Sequence, residues 1–542
     1  MLVLVNFRGA HRLFAAVVLA LSFSCSFSVF SAERLASPFE ISEVALRPEK
    51  NRVDALVAER QRSAGVSPAN LCSDAVFIRR VYLDVSGRLP SAWEAKRFIG
   101  DKDPSKRSKL IGKLLDGDGF VELLTLKWCD LLRVKSEFPI KLWPNAVHAY
   151  YHWIRTAVKE NMPYDKFARA LLTSSGSDFR VPPVNFLRAV RERTPEGLAS
   201  AAALTFMGVR LEKWPAGKRS GMAKFFSRVS YKKTAEWKEE IVYLDPEFEG
   251  GLSIVAPDGK RMEVGRGVDP RDLFADWLLA QDNPWFAKNI VNRIWSWLVG
   301  RGLIESIDDI GSGDSPSNSE LLDYLASELV SSDYDLKRIY RLILDSGVYQ
   351  QSCVPNTDPG KGDAFFARYV PRRLPAEVLL DAFHQIFGGG ERYSSPIPEP
   401  FTFIPGNHPS VDLFDGSMTS EFLEMFGRPP RDTGYESERG EGTSKNQRLH
   451  TLNSSHIQNL IQSSKWLRGV LRSVKGRKRE AARAIYLRIL SRYPTEEELK
   501  RLGVSAATSK GKGKGKGKGA SGFSPRDLAW ALVNTKEFQF NH

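Results

Sequence analysis

The chain has 542 residues, 42% of them hydrophobic and 26% charged, a balance that excludes wholesale disorder and points to a globular protein of two or three domains. Its formal net charge is +14, but Arg8 and Arg12 supply two of these charges and Lys510, Lys512, Lys514, Lys516 and Lys518 five, leaving a body of only +7. A surplus of that size suits a solvated surface that can meet anionic glycans, and no nucleic acid is expected as a partner.

Arg8 and Arg12 precede an apolar run from Leu13 to Leu21 and a Ser-rich stretch ending Val29-Phe30-Ser31-Ala32, the layout of a secretory signal peptide over residues 1–31. Cleavage after Ser31 places Val29 three residues back, so the mature chain is expected to start near Ala32 and to be periplasmic, secreted or held at the cell surface. The alternatives are an uncleaved anchor over Leu13 to Phe30, diluted by four serines, and lipidation at Cys25, where Ser22-Phe23-Ser24 lacks an aliphatic residue. No later segment is long and apolar enough to span a membrane, so no stable span is expected after signal cleavage. Only Cys72, Cys129 and Cys353 follow the leader, which permits at most one internal disulfide. Cys129 sits in the apolar helical stretch Leu123 to Leu132 and reads as a buried structural thiol.

Along the chain, the spacing of apolar residues predicts helices over Phe39 to Ala64 and Asp74 to Val85, the second broken by Gly87 and Pro90. Ser91 and Glu94 form a capping-box pattern for a further helix, and Asp103-Pro104-Ser105 opens one that reaches Leu115. Trp143 to Asn161 and Tyr164 to Ser174 follow, divided by Met162-Pro163. The pattern then turns β-rich: Glu240 to Leu244, Leu252 to Val255, a Pro257-Asp258-Gly259-Lys260 turn, then Met262 and Val264. Helices resume at Asp269-Pro270, at Asn283-Pro284 up to Gly300, and over Ser319 to Ser331, Leu336 to Tyr349 and Pro375 to Phe387. Residues 388–450 are rich in Gly and Pro. Helices are expected again near Ser455 to Val474, Arg479 to Ser491 and Ser524 to Val533, the last beyond a disordered Lys-Gly tract at 510–519. The expected fold is mainly α: two helical domains, 40–235 and 267–542, with a small β insertion at the junction, 236–266.

Several blocks resemble a bacterial family, common in Planctomycetes and Verrucomicrobia, that pairs the domains of unknown function 1549 and 1553 and is named for occurring with c-type cytochrome modules. The first domain is carried by Phe77-Ile78-Arg79-Arg80-Val81-Tyr82-Leu83-Asp84 and Asn161-Met162-Pro163-Tyr164-Asp165. The second is carried by Asn283-Pro284-Trp285-Phe286, Ile290-Val291-Asn292-Arg293-Ile294-Trp295, Pro371-Arg372-Arg373-Leu374 and Phe426-Gly427-Arg428-Pro429. The resemblance implies an exported protein but no settled activity. Two departures stand out. Many relatives follow Gly-Val-Arg with a Cys-x-x-Cys-His run, whereas this chain passes from Gly208-Val209-Arg210-Leu211 to Glu212-Lys213-Trp214. Where relatives show Cys-x-Cys-x-Arg, it reads Tyr435-Glu436-Ser437-Glu438-Arg439. Covalent haem needs two thiols and a histidine, so no cofactor is expected.

The remaining chemistry is sparse. No Gly-x-Ser-x-Gly elbow, phosphate-cradling loop or dinucleotide fingerprint occurs. Glu436, Glu438 and Arg439 are candidates for acid–base work, since neighbouring carboxylates can differ in protonation, although the same residues read first as a loop clamped by Arg–carboxylate pairs. His148 and His152 share a helix face at i and i+4 and are candidate metal ligands, but the intervening glutamate of a zinc-protease motif is missing. Arg79, Arg80 and Asp84 suggest an ion-pair cluster, Arg80 and Asp84 lying one helical turn apart. Tryptophans and tyrosines interleaved with Lys and Arg offer carbohydrate-stacking platforms, but Trp285, Trp295 and Trp297 follow helical spacing and belong to the core. The leading expectation is a non-catalytic binding or assembly protein of the bacterial envelope, linked to polysaccharide use, with exported proteins or an anionic polysaccharide as partners. The alternatives are an exported hydrolase with a carboxylate site near 436–438, which requires Glu436, Glu438, Arg439 and Asn453 to converge in one concave pocket, and a docking partner for a separate c-type cytochrome.

Overall fold

Small polar side chains start most of the helices. Ser91 accepts the Glu94 amide while the Glu94 carboxylate accepts the Ser91 amide, so the predicted capping box opens Ala92–Gly100. Asp269, Asn318 and Ser524 cap Pro270–Leu278, Ser319–Ser331 and Pro525–Val533 in the same way. Gly300, at φ 93°, closes Phe286–Val299 in a left-handed conformation that its missing Cβ permits. A computed structural model describes residues 51–246, 251–311, 313–402, 404, 407–473, 477–504 and 523–542. The predicted leader, Cys25 and the Lys-Gly tract lie outside the described residues. Among the described residues no helix is long and apolar enough to cross a membrane.

Two predicted helices are shortened for identifiable reasons. The stretch predicted over Ser455 to Val474 divides into Ser455–Ser463 and Lys465–Ser473, because the extended Ser464 turns its hydroxyl to the Leu467 amide and starts a new helix. The one predicted from Leu336 ends at Leu344. Beyond it, the amides of Gly347 and Val348 donate to the Asp54 carboxylate at 2.9 and 3.0 Å instead of continuing the helix.

The fold is mainly α, with three small antiparallel sheets among the described residues. Strands β1 (Gly176–Ser177), β2 (Val229–Lys233) and β3 (Glu240–Leu244) form one in the order β1-β3-β2, with Tyr231 opposite Val242. Strands β4 (Leu252–Val255) and β5 (Arg261–Val264) make a hairpin around the predicted turn. The junction therefore draws β1 and β2 from outside the predicted 236–266 stretch. Short strands β6 (Arg372–Arg373) and β7 (Phe540–Asn541) tie the second half to the end of the described chain.

One continuous cluster of buried apolar side chains runs from Val53 to Phe538, so both helical portions share a core. Arg79 and Arg80, on the helix Asp74–Ser86, cross it. Arg79 donates to the carbonyls of Ile489 and Phe538, at 2.9 and 2.8 Å. Arg80 donates to those of Tyr349, Gln351 and His542 and lies 3.7 Å over the Tyr369 ring. The predicted Arg80–Asp84 cluster is redrawn, because Asp84 meets Arg372 at 2.9 Å and accepts from Tyr349, Tyr369 and Asn541. The nearest guanidinium to its carboxylate thus comes from the distant half of the chain and not from its own helix. Arg52–Ser63 packs on the second half as well: Gln61 donates to the Phe365 and Phe366 carbonyls, and Asn318 donates to Leu56.

Asp54 is buried and charged-acceptor bonds of this kind contribute about 1.5–3 kcal/mol each. Asp54→Ala is expected to lower stability by about 3 kcal/mol and shift the urea midpoint downward with an unchanged slope.

Candidate functional site

The loop after the short helix Glu421–Met425 carries three arginines into the interior. Arg431 meets Asp130, at the end of the helix Asp118–Leu131, at 2.8 Å. Arg439 bridges Asp130 and Glu377, each at 2.6 Å, and Arg428 stands 3.6 Å from Glu377. Glu377 lies on the helix Ala376–Phe387. Burial works to raise the Asp130 and Glu377 carboxyls, but Arg439, joined by Arg431 at Asp130 and by Arg428 at Glu377, overcomes it and holds both below their ordinary values. Arg431 also donates to the Leu413 and Phe414 carbonyls, and Arg428 to those of Met418 and Asp415, so the planar guanidiniums place their donors on fixed acceptors.

Through Arg439 this network reaches an open cleft of about 500 Å³. Its walls come from three segments: Arg210 and Lys213, residues 305–309, and Glu436, Ser437, Arg439 and Glu441. The Arg210 guanidinium lies 4.5 Å from the Tyr435 ring, and the Tyr435 hydroxyl is 3.5 Å from Glu212. The two segments in which the sequence departs from its resemblance therefore face each other. Asp308 accepts the Glu436 and Ser437 amides and pairs with Arg293, while Asp309 pairs with Lys213 at 2.5 Å.

Glu436 and Arg439 line this cleft; Glu438 and Asn453 do not. Glu436 accepts from the Trp297 indole at 3.0 Å and lies 3.6 Å from Arg293. Glu438 accepts the amides of Asp432 and Thr433, holding the loop's own turn, and burial raises its carboxyl. Asn453 is exposed at the end of Lys445–Asn453. The three candidate residues are thus spent on the clamp, and the two carboxylates face different partners.

His148 and His152 do share a face of Pro144–Lys159, with rings 6.2 Å apart, but His148 packs on Phe414 at 4.1 Å. Among the described residues no third ligand joins them; the set that converges is His384, Glu391 and His456. It spans the helices Ala376–Phe387 and Ser455–Ser463 and a loop residue between them, and has no sequence motif. Burial pushes the Cys129 thiol up to about 12, as befits a structural cysteine. Covalent haem does not fit the cleft, because no cysteine or histidine lines it and Cys72, Cys129 and Cys353 are buried elsewhere.

A second surface feature lies apart from these carboxylates. Trp143, Trp237 and Phe401 meet at ring distances of 5.0 Å (Trp143–Trp237), 5.0 Å (Trp237–Phe401) and 5.8 Å (Trp143–Phe401). Trp237 is 54% and Phe401 44% exposed, so this is a surface cluster and not core. The Lys238 ammonium lies 4.6 Å from the Trp143 ring and 5.7 Å from that of Trp237. Lys141 caps the 62% exposed Phe138 ring nearby in sequence. Trp143 has φ 72° and ψ 150°, a region almost reserved for glycine, and Lys141 and Lys238 also have positive φ. Such conformations cost about 1–3 kcal/mol each and persist where the surroundings enforce them. Glu239 enforces the Trp237 turn by accepting from Ser177 and Thr234. The signal for Trp237 was present in Thr234-Ala235-Glu236-Trp237-Lys238-Glu239, a tryptophan in a polar turn with no helical or strand face to bury it.

Residues 52–211 match the family described as protein of unknown function DUF1549 (PSCyt2), and residues 270–505 that described as protein of unknown function DUF1553 (PSD1). No curated protein and no solved structure matches the chain.

Removing one member of a buried ionic group costs about 3–5 kcal/mol, because the remaining charges lose their compensation. Asp130→Ala is expected to lower stability by that amount, read from urea unfolding. The carboxyls of Asp130 and Glu377 lie below their ordinary 3.8 and 4.5, so their contribution is complete above about pH 4.5 and is lost as pH falls through the lowered folded values. Glu377→Gln is expected to be less stable at neutral pH and to decline less steeply than the parent below pH 4.5.

Proposed function

The chain belongs to the family that pairs domains of unknown function 1549 and 1553, and from its own surface we propose that it is an exported, non-catalytic binding protein for an anionic polysaccharide. The observation that carries this reading is the Trp143–Trp237–Phe401 platform with Lys238 at its edge. Sugar C–H faces pack on aromatic rings, and an ammonium beside them attracts a sulfate or carboxylate substituent. The rings come from three separate segments, with strain at Trp143 and Lys238 that a merely solvated surface has no need to hold. The non-catalytic part is supported by Glu436, Glu438 and Arg439, whose charges are committed to the loop and its ion pairs. Export rests on the leader-like residues 1–31, with the periplasm or cell surface as the compartment.

The test is affinity electrophoresis of the mature protein in gels carrying a sulfated galactan, a polyuronate or a neutral glucan. The two acidic polymers are expected to retard it, and Trp237→Ala to weaken binding about tenfold, equivalent to about 1.4 kcal/mol. Lys238→Gly, which keeps the positive φ accessible, is expected to reduce the salt dependence. Equal mobility in all three gels, or full retention of binding by Trp237→Ala, would end the proposal. Glu436-dependent cleavage of either acidic polymer would end its non-catalytic part.

A further inference from the structure

We infer that His384, Glu391 and His456 form a binding site for a divalent first-row transition-metal ion of the zinc class, independent of the aromatic platform. One ligand atom from each lies within 4.8 Å of the other two, and all three side chains are half-buried. The His456 Nε2 and Glu391 Oε2 atoms are 3.5 Å apart, close to the edge of about 3.4 Å expected for a tetrahedron with zinc–ligand bonds near 2.0–2.1 Å. His384 Nε2 is buried without a hydrogen-bond partner, an arrangement that leaves a lone pair or a proton unanswered unless something occupies the space before it. Two imidazoles and one carboxylate are a recurrent zinc donor set and leave a coordination position for water.

The surrounding residues orient these donors. His450 Nε2 lies 3.3 Å from His456 Nδ1, so a hydrogen bond on that side leaves the Nε2 of His456 facing Glu391 as the ligand atom. Phe422 lies edge-on to both rings, 5.6 Å from His450 and 5.8 Å from His456, and keeps that side apolar. Gly388, Gly389 and Gly390 connect Ala376–Phe387 to Glu391. Gly388 and Gly389 have φ of 82° and 100°, and a Cβ on Gly390 would stand 2.1 Å from the Asn407 side chain. The triple glycine thus reverses the chain tightly enough to return Glu391 beside His384.

The test uses the full chain stripped of metal by a chelator and titrated with Co²⁺ alone, followed by displacement with Zn²⁺. The expected result is saturation at one equivalent, with the intense visible absorption of a four-coordinate site that Zn²⁺ abolishes. His384→Ala and Glu391→Gln are each expected to weaken binding at least tenfold, His450→Phe about tenfold, and His148→Ala not at all. Circular dichroism checks that each variant retains its helices; should His384→Ala unfold, the near-isosteric Glu391→Gln decides. Absence of saturable Co²⁺ binding, or binding that survives Glu391→Gln undiminished, overturns the site.

Discussion

A guanidinium removed from water needs acceptors for N–H donors arranged in a plane, and this need ties the two helical portions to each other. Arg79, Arg80, Arg271, Arg293 and Arg431 are among the largest fully buried side chains. Their acceptors are mostly backbone carbonyls or carboxylates far away in sequence. Arg79 reaches Ile489 and Phe538, Arg80 reaches Tyr349 and His542, and Arg431 reaches Asp130. Any relative shift of the two helical portions would strand several donors at once, each at a cost comparable to a lost buried hydrogen bond. The hydrophobic core supplies the driving force for collapse, but apolar packing alone tolerates sliding. The arginines fix the register.

That interlocking makes the functional surfaces composite. The aromatic platform takes Trp143 from the first helical portion, Trp237 from the β2–β3 turn and Phe401 from the Gly- and Pro-rich stretch of the second. The β-rich junction, which lies between the two family-matched segments, is thereby more than a spacer: the turn between its paired strands presents Trp237 to both neighbours. Trp143, in a backbone region disfavoured for any side chain, donates its amide to the Ser136 carbonyl at 3.2 Å, and the Ser136 and Glu137 amides in turn donate to Asp415 and Ser417.

The charged cleft is lined by carboxylates, cations and hydroxyls. Around Arg210 and Tyr435 the walls consist of carboxylates, cations and an aromatic ring, nearly all of them paired with one another. Hard oxygen and nitrogen groups in mutual ion pairs are poor partners for a soft-ligand cofactor. They are well suited to stiffening the loop that carries Arg428, Arg431 and Arg439.

Local chemistry was legible in the amino-acid sequence: the Ser91–Glu94 box, the Asp269 and Ser524 caps, the stop at Gly300 and the strands β3 and β4 all depend on neighbours within a few residues. The family pairing was legible too, since it rests on ordered blocks of sequence. Partnership across the chain was not. Asp84 has Arg80 one turn away yet meets Arg372, and Glu436, Glu438 and Arg439 are adjacent yet face Trp297, their own turn and Glu377. His148 and His152 have the metal-ligand spacing, whereas the converging set is His384, Glu391 and His456, from two helices and a loop. Helical periodicity says which residues share a face, but which distant face lies opposite is decided by the packing of the whole core and by the buried charges that must be satisfied within it.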